Sequence, residues 1–298
     1  MCGIVGLFLK DKALEPQLGA MLSEMLVSLT DRGPDSAGIA IYSPGQKDHG
    51  RITVQSPSPA QDFAGLDSEL GKKIGSPVKM AIKSTHAVFD VPREKLAAAR
   101  DAIVELRPNA RVMGMGEAIE IFKEVGLPAD VAKRFEVSKM TGTHGIGHTR
   151  MATESAVTTM GAHPFSTGPD QCLVHNGSLS NHNNVRRELK REGIKFETEN
   201  DTEVAAAYLS SRLAKGQDLG DALESSLADL DGFFTFVVGT KNGFGVVRDP
   251  IACKPAVLAE TDQYVAFGTE YRALAKLPGI EDAKVWEPEP STVYFWEH

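Results

Sequence analysis

The chain opens with Met1-Cys2-Gly3-Ile4-Val5-Gly6-Leu7-Phe8, an apolar run of residues that favour β-strands. A strand that starts at residue 3 predicts an ordered terminus, because pairing in a sheet holds the first residues of a chain. If Met1 is removed, Cys2 becomes the first residue and carries both a thiol and a free α-amino group. The sequence therefore indicates a nucleophile and a base on one residue, at the start of a strand.

Taken by itself, a cysteine at position 2 is more often an incidental small residue at a frayed end. The strand that follows Cys2 favours the reactive interpretation. In proteins generally, α-amino groups have an unperturbed pKa of about 7.7–8.0 and cysteine thiols of about 8.5. Near neutral pH such an amine can therefore accept a proton from a thiol that is already partly ionised.

The composition is that of an ordinary globular protein, with 298 residues, 42% hydrophobic and 24% charged. The net charge of -8 argues against a nucleic-acid or anionic-membrane partner. We find no apolar run of about 18 residues that would predict a transmembrane helix, and no signal-peptide pattern. Cys2, Cys172 and Cys253 do not form a disulfide framework. These features predict a cytoplasmic location.

Two groups of strands are separated by amphipathic helices. The predicted strands cover residues 3–8, 36–42, 51–55, 145–150, 171–177, 233–239, 243–248, 256–259, 264–268 and 292–296. The predicted helices cover residues 16–29, 183–192, 202–214 and 219–230. This order predicts an α+β fold in which two sheets pack face to face with helices outside, a four-layer α-β-β-α sandwich.

The segment from about residue 56 to 140 interrupts this order and is predicted to be an inserted α+β segment. Within it we expect a loop over 56–75, strand structure over 78–91, and helices over 92–106 and 116–125. The whole chain, 1–298, is then one domain that carries an insert.

Polar residues cluster where strands are predicted to end, in residues 31–38, 147–153, 174–177 and 199–203. Each cluster has an ordinary structural explanation. Asn176-Gly177 is a strong turn dipeptide, Asn200 suits a helix N-cap, and Arg150 alone is usually a surface cation. Only their combination favours a shared site.

Together with Cys2, four of these motifs resemble a known family, in the same order along the chain. They are Arg32-Gly33-Pro34-Asp35, His148-Thr149-Arg150, His175-Asn176-Gly177 and Asp201-Thr202-Glu203. They resemble the motifs of class II glutamine amidotransferase domains, which are N-terminal nucleophile hydrolases. Outside the predicted insert, the resemblance implies their four-layer fold. It also implies hydrolysis of the glutamine side-chain amide through a thioester on Cys2.

By this resemblance, Asn176 and Gly177 form the oxyanion hole, and with Cys2 they are the catalytic set. Arg150 and Thr153 are expected to bind the glutamine α-carboxylate, and Asp201 the α-ammonium group. His175 and Arg32 complete the substrate-binding set, Arg32 by shaping the loop over Cys2.

The chain departs from the family pattern at Met151, where many relatives carry an aromatic residue, and at Glu154, where some carry a neutral one. His144 and His148 are four residues apart, but their strand-like context argues against a zinc site, and no metal is expected. His163 is expected to line the pocket or to support its loop.

The chain ends at His298, soon after the hydrolase fold would be complete, so a separate ammonia-using synthase subunit and a hetero-oligomer are expected. The resemblance points to the amidotransferase subunit of glutamate-synthase-like complexes such as N-methylglutamate synthase. It implies no cofactor in this chain, with flavin and iron–sulfur centres in the partner subunits, and residues 78–140 are the expected docking surface. Two alternatives stay open: an amidase that acts on another amide, and a catalytically silent subunit that senses glutamine.

Overall fold

The strand that follows Cys2 is buried along its whole length in a computed structural model of the protein, which describes residues 2–152 and 156–298. In chain order the strands are β1 (Gly3–Leu9), β2 (Ser36–Tyr42), β3 (His49–Gln55), β4 (Lys79–Lys83), β5 (His86–Pro92), β6 (Arg111–Gly116), β7 (Ile119–Val125), β8 (His144–Arg150), β9 (Phe165–Gly168), β10 (Gln171–Leu179), β11 (Gly232–Gly239), β12 (Gly243–Arg248), β13 (Val257–Glu260), β14 (Tyr264–Gly268), β15 (Lys284–Trp286) and β16 (Val293–Glu297).

The helices alternate with these strands. They are α1 (Leu18–Ser28), α2 (Pro59–Asp62), α3 (Leu66–Ile74), α4 (Leu96–Leu106), α5 (Pro128–Arg134), α6 (His182–Arg191), α7 (Asp201–Ala214) and α8 (Leu219–Asp229). In the part of the chain that the structure describes, no helix is both long and apolar enough to cross a lipid bilayer.

Two antiparallel sheets form the body of the molecule. The first has the order β15-β13-β14-β1-β8-β2-β7 and the second the order β16-β12-β11-β10-β9. Alternate residues of β1 face opposite sides, since Ile4 and Phe8 pack between the sheets while Val5 and Leu7 pack toward α1. On the far side, α6, α7 and α8 cover the second sheet. The predicted four-layer α-β-β-α sandwich is confirmed.

A third sheet, of order β4-β5-β3-β6, forms a separate layer. With α2, α3 and α4 it encloses its own apolar core, which includes Phe63, Leu70, Phe89 and Ile103. This unit runs from His49 to Gly116, so its bounds differ from the predicted insert of about 56–140. The predicted strand at 51–55 is β3 and belongs to this sheet.

The helix predicted over residues 116–125 is wrong, because the structure places the strand β7 there. Ile119, Phe122 and Val125 have the spacing of a helix face, but β7 pairs with β2 over seven residues and forms the edge of the first sheet. Tertiary pairing therefore overrides local periodicity at this site. The loop predicted over 56–75 is also wrong in part, since α2 and α3 lie within it.

Asp170 joins the two main sheets, because it precedes β10 of the second sheet and binds the start of β7 in the first. Its Oδ1 accepts hydrogen bonds from the N–H groups of Ala118 (2.8 Å) and Ile119 (3.1 Å), and its Oδ2 from that of Glu117 (2.8 Å). Since the Asp170 residue is 8% exposed, water cannot readily replace these bonds.

We expect Asp170→Asn to lower the free energy of unfolding by about 1–3 kcal/mol, because its amide NH2 would face a backbone N–H that then lacks an acceptor. Denaturant unfolding of the two proteins measures this difference. Asp262→Asn, at an exposed turn, is the matched control and should change the unfolding free energy little. Equal stability of Asp170→Asn and the wild type would contradict the role given to this carboxylate.

Candidate active site

Cys2 lies at the open end of β1, between two neighbouring strands. The Ile4 N–H donates to Thr269 Oγ1 (2.8 Å), and the Thr269 N–H donates back to the Ile4 carbonyl oxygen (2.9 Å). On the other side Gly3 pairs with Thr149 of β8. Cys2 itself is partly exposed, with its Sγ 4.0 Å from the carbonyl oxygen of Met151. The thiol is therefore accessible while its backbone is held by the sheet.

Two side chains from distant parts of the chain meet at the Cys2 carbonyl oxygen. Arg32 Nε donates to it at 3.0 Å, and Asn176 Nδ2 donates to it at 3.3 Å. Because Asn176 lies in β10, this contact brings the second sheet to the end of the first. The structure thus brings together Cys2, Arg32 and Asn176, which the sequence analysis singled out.

The loop that contains Arg32 also holds the end of β8. A Cβ atom at Gly33 would lie 2.3 Å from the backbone carbon of Thr149, so only glycine fits this close approach. The Asp35 carboxylate accepts the N–H of Ala152 at 2.8 Å. Arg32 Nη1 forms an ion pair with Glu270 (2.5 Å). Asp35 and Glu270 were not among the predicted site residues.

Gly177 occupies a backbone position that other residues cannot adopt. Its φ is +150°, and a Cβ atom there would lie 1.9 Å from the carbonyl oxygen of Phe233. Asn176-Gly177 lies within β10, so the turn explanation for this dipeptide does not apply. Asn176 is buried and Gly177 is exposed, which leaves an amide side chain and an accessible backbone side by side.

Asp201 is the first residue of α7, after the N-cap residue Asn200. Its Oδ2 accepts the Leu179 N–H at 2.9 Å, and its Oδ1 lies 3.7 Å from Nδ1 of His175. Burial works against ionisation of this carboxyl, but the neighbouring His175 ring and the Leu179 N–H outweigh it and lower the pKa of Asp201 to about 2. The group is therefore a carboxylate at neutral pH.

His175 lies behind the strand that carries Asn176. Its Nδ1 is 3.1 Å from Thr202 Oγ1, and its ring meets the Phe236 ring edge-on. Since the His175 residue is 3% exposed, the structure places it against Asp201 and Thr202 and not next to Cys2.

His163 and His148 stack beside this group, with ring centroids 4.0 Å apart. His163 Nε2 lies 3.3 Å from Thr202 Oγ1, and His148 Nε2 lies 3.2 Å from the His175 carbonyl oxygen. Burial lowers the pKa of His148 to about 3 and that of His163 well below its usual range, so both rings are neutral. His163 thus contacts Thr202 and His175, and both roles expected for it stay predictions.

His144, the first residue of β8, has other partners than His148. Its Nε2 lies 2.8 Å from the carbonyl oxygen of Thr240, and its ring stacks on Tyr42 at 4.3 Å. The two histidines thus have separate partners, and the absence of a metal stays a prediction.

Arg150 ends β8 and is 6% exposed, with Nη1 donating to the Ala156 carbonyl oxygen at 3.4 Å. The predicted carboxylate ligand Thr153 and the family departure at Glu154 lie outside the described residues. Lys123 and Glu124 of β7 contact the segment that follows Arg150. Neither was among the predicted site residues, because residues 116–125 were expected to form a helix of the insert.

The arrangement combines an accessible thiol, a side-chain amide donor, an exposed backbone at Gly177, a carboxylate and a guanidinium. Such a set can attack a carbonyl carbon, stabilise the oxyanion that forms, and bind a ligand that carries both charges.

Comparisons with known proteins agree with this geometry. A family model described as a glutamine amidotransferase domain matches residues 148–276. The glutamine amidotransferase-like protein GlxB of Rhizobium meliloti is 68% identical over 298 residues, which cover 100% of this chain and 99% of that protein. An amidophosphoribosyltransferase of Methanocaldococcus jannaschii is 31% identical over 165 residues, 54% of this chain and 35% of that enzyme.

The fold has a counterpart among solved structures. Glutamine phosphoribosylpyrophosphate amidotransferase from B. subtilis superposes with a TM-score of 0.63 at 20% identity, over 99% of this chain and 47% of that one. That enzyme is about twice as long, so the likeness concerns the shared fold alone. The 68% identity to the Rhizobium protein over the full length of both chains, with the matching family model, shows that the chain belongs to the glutamine amidotransferases.

Proposed function

We propose that this chain is a glutamine amidotransferase subunit that hydrolyses the side-chain amide of glutamine through a thioester on Cys2 and delivers ammonia to a separate synthase subunit. One observation carries the chemical part of this proposal. Asn176 of the second sheet reaches the Cys2 carbonyl oxygen at 3.3 Å, which puts an amide donor beside the thiol-bearing residue at the open end of the sandwich.

The reaction begins on mature protein from which Met1 has been removed. The α-amino group of Cys2 accepts the thiol proton, and the sulfur attacks the side-chain carbonyl carbon of glutamine. When the tetrahedral intermediate collapses, the C–N bond breaks and the α-ammonium group of Cys2 returns the proton to the departing nitrogen, which leaves as ammonia. Water then attacks the γ-glutamyl thioester, which releases glutamate and regenerates the thiol.

The Asn176 amide and the Gly177 N–H form the oxyanion hole in this proposal. Both belong to β10, whose pairing with β11 fixes Asn176 opposite Thr235 and Gly177 opposite Phe234. Donors held in advance need no reorganisation when negative charge develops on the substrate oxygen. The missing Cβ of Gly177 lets the substrate approach the backbone.

Glutamine is selected by its two charged groups. Arg150 takes the α-carboxylate, for which its planar guanidinium supplies paired donors, and Thr153 assists it. Asp201, a carboxylate at neutral pH, takes the α-ammonium. Arg32 holds the Cys2 carbonyl, and His175 acts through its contact with Asp201.

The partner is a glutamate-synthase-like subunit in a hetero-oligomer, as in complexes such as N-methylglutamate synthase. An amidotransferase without an acceptor would waste the ammonia that it releases. This chain needs no cofactor for the hydrolysis, so the flavin and iron–sulfur centres of such complexes belong to the partner subunits.

We expect Cys2→Ala to abolish glutamine hydrolysis, because the nucleophile is lost, while the assembled complex still uses added ammonia. Intact mass measured after treatment with diazo-oxo-norleucine should show loss of Met1 and a single adduct on the wild type, and no adduct on Cys2→Ala. Cys253→Ala, at an exposed cysteine, is the matched control and should keep activity and adduct.

Other results would overturn the proposal. Glutamine hydrolysis by a protein that retains Met1 or carries a blocked amine would exclude the mechanism. Faster turnover of a different amide would favour the amidase alternative. Glutamine binding without ammonia release, with unchanged function in Cys2→Ala, would favour the silent sensor.

We expect Asn176→Ala to lower kcat by about 10²–10³-fold with little change in KM, because an oxyanion donor acts mainly in the transition state. Steady-state glutaminase assays measure both constants. The rate of Cys2 alkylation by iodoacetamide should stay near that of the wild type, which shows that the thiol is still accessible. The neighbouring Ser178→Ala is the control, and an equal loss of kcat in it would count against the assignment.

We expect Asp201→Asn to raise the KM for glutamine about 10–100-fold, since a hydrogen bond to a charged group contributes about 1.5–3 kcal/mol. The Asn side chain has the shape of Asp, and its carbonyl oxygen can still accept a hydrogen bond from the Leu179 N–H. Asp218→Asn, at the N-cap of α8, is the matched control away from the site. An unchanged KM in Asp201→Asn would remove this residue from the binding set.

A further inference from the structure

We propose that Lys123 and Glu124 of β7 are positioning residues for glutamine binding, because they anchor the segment 156–165 that links Arg150 to the surroundings of Asp201. The inference rests on the proposed function, which assigns Arg150 and Asp201 to the two charged groups of glutamine. It adds that side chains of β7 set the distance between the Arg150 and Asp201 side chains.

The segment 156–165 reaches both ends of the proposed glutamine site. At one end the Ala156 carbonyl oxygen accepts Arg150 Nη1 at 3.4 Å. At the other end His163 lies 3.3 Å from the hydroxyl of Thr202, the residue after Asp201, and its Nδ1 accepts the His175 N–H at 3.4 Å. A shift of this segment would therefore move Arg150 relative to Asp201.

Lys123 binds the segment through its backbone. Its Nζ donates to the carbonyl oxygens of Ala162 (2.8 Å), Pro164 (3.1 Å) and Met160 (3.4 Å), and it lies 4.4 Å from the centre of the Phe165 ring. An ammonium group has three N–H donors, and three carbonyl oxygens surround this one. The match fixes the course of the chain from residue 160 to residue 164.

A charged amine is unfavourable in this position unless its hydrogen bonds are used. The Lys123 residue is 3% exposed. Burial lowers the pKa of Lys123 to about 7, and the carboxylates of Glu203 and Glu197 act against that shift. An apolar side chain of similar length would fill the space without this desolvation cost, so packing alone does not account for a lysine here.

Glu124 holds the same segment a few residues earlier. Its carboxylate accepts the hydroxyl of Thr159 and, at 2.8 Å, the hydroxyl of Thr85 in the turn between β4 and β5. It also lies 3.7 Å from Nη1 of Arg134. Two consecutive residues of one edge strand therefore fasten the segment at Thr159 and at residues 160–164.

The test uses the inactivation of the full chain by diazo-oxo-norleucine, which carries the α-carboxylate and α-ammonium of glutamine and shows saturation kinetics. We expect Lys123→Met to raise the half-saturation concentration at least about tenfold, because a displaced Arg150 loses its paired, charge-assisted hydrogen bonds to the α-carboxylate. The limiting rate of inactivation should stay within about threefold of the wild-type rate. The rate of Cys2 alkylation by iodoacetamide, which lacks both charged groups, should also stay within about threefold of the wild-type rate.

Lys83→Met is the matched control. The ammonium group of Lys83, in β4, lies over the ring of Phe122 in β7 and 3.6 Å from the carboxylate of Glu120. Its loss should leave the half-saturation concentration unchanged.

Two variants of Glu124 distinguish a positioning role from a general effect on stability. Glu124→Ala should raise the half-saturation concentration, whereas Glu124→Gln keeps an acceptor for Thr159 and should remain within about threefold of the wild type. Thr159→Val, which removes only the hydroxyl, should resemble Glu124→Ala even if Lys123→Met fails to fold.

The possible failures can be told apart. Suppose that the wild-type protein is labelled at Cys2 and that the half-saturation concentrations of Glu124→Ala and Thr159→Val are unchanged. This result would overturn the positioning role alone. A parallel fall in the limiting rate and in iodoacetamide alkylation would show a structural defect and would also overturn it. A wild-type protein that is not labelled at Cys2 would overturn the proposed function instead.

Discussion

The placement of the reactive residue depends on the pairing of β1 between β8 and β14. Gly3 lies opposite Thr149 and Val5 opposite Gly268, so both neighbours hold the strand within three residues of the thiol. Backbone hydrogen bonds in this pattern fix direction as well as position. The start of β1 therefore lies beside the end of β8. Cys2 and Arg150 are consequently at the same end of these two strands.

The second sheet contributes further polar groups near Cys2. The apolar layer between the two sheets sets the distance of these groups from Cys2. Ile4 and Phe8 of β1 pack in the same cluster as Val174 of β10 and Val237 of β11. Since neighbouring residues of a strand face opposite sides, Asn176 turns toward Cys2 while His175 turns toward α7. One strand thus contributes both an amide that contacts Cys2 and a histidine that contacts the carboxylate of Asp201.

The features that the sequence predicted correctly are those fixed by local pattern. The runs that became β1, β2 and β12 are apolar and bounded by turn residues, and Cys2 stands directly before the first of them. Proximity of Cys2, Arg32 and Asn176 was inferred from the family resemblance, because residues 174 positions apart carry no local signal of contact. The helix expected over residues 116–125 was wrong, because the pairing of β7 with β2 makes this segment a strand. Because of that error, Lys123 and Glu124 were not recognised, since their role depends on the contacts of β7 with residues 156–165.

The shared carboxylate of Glu124 connects the inserted unit to the segment that follows Arg150. Thr85 belongs to a hairpin of the third sheet, whereas Thr159 belongs to the segment beside Arg150, and both hydroxyl groups are held by this one side chain. The Glu124 carboxylate therefore joins the turn of this hairpin directly to the segment that follows Arg150, beside the wider contacts of the third sheet with β7. If the proposed positioning role holds, a partner that binds the inserted unit would also change the affinity for glutamine.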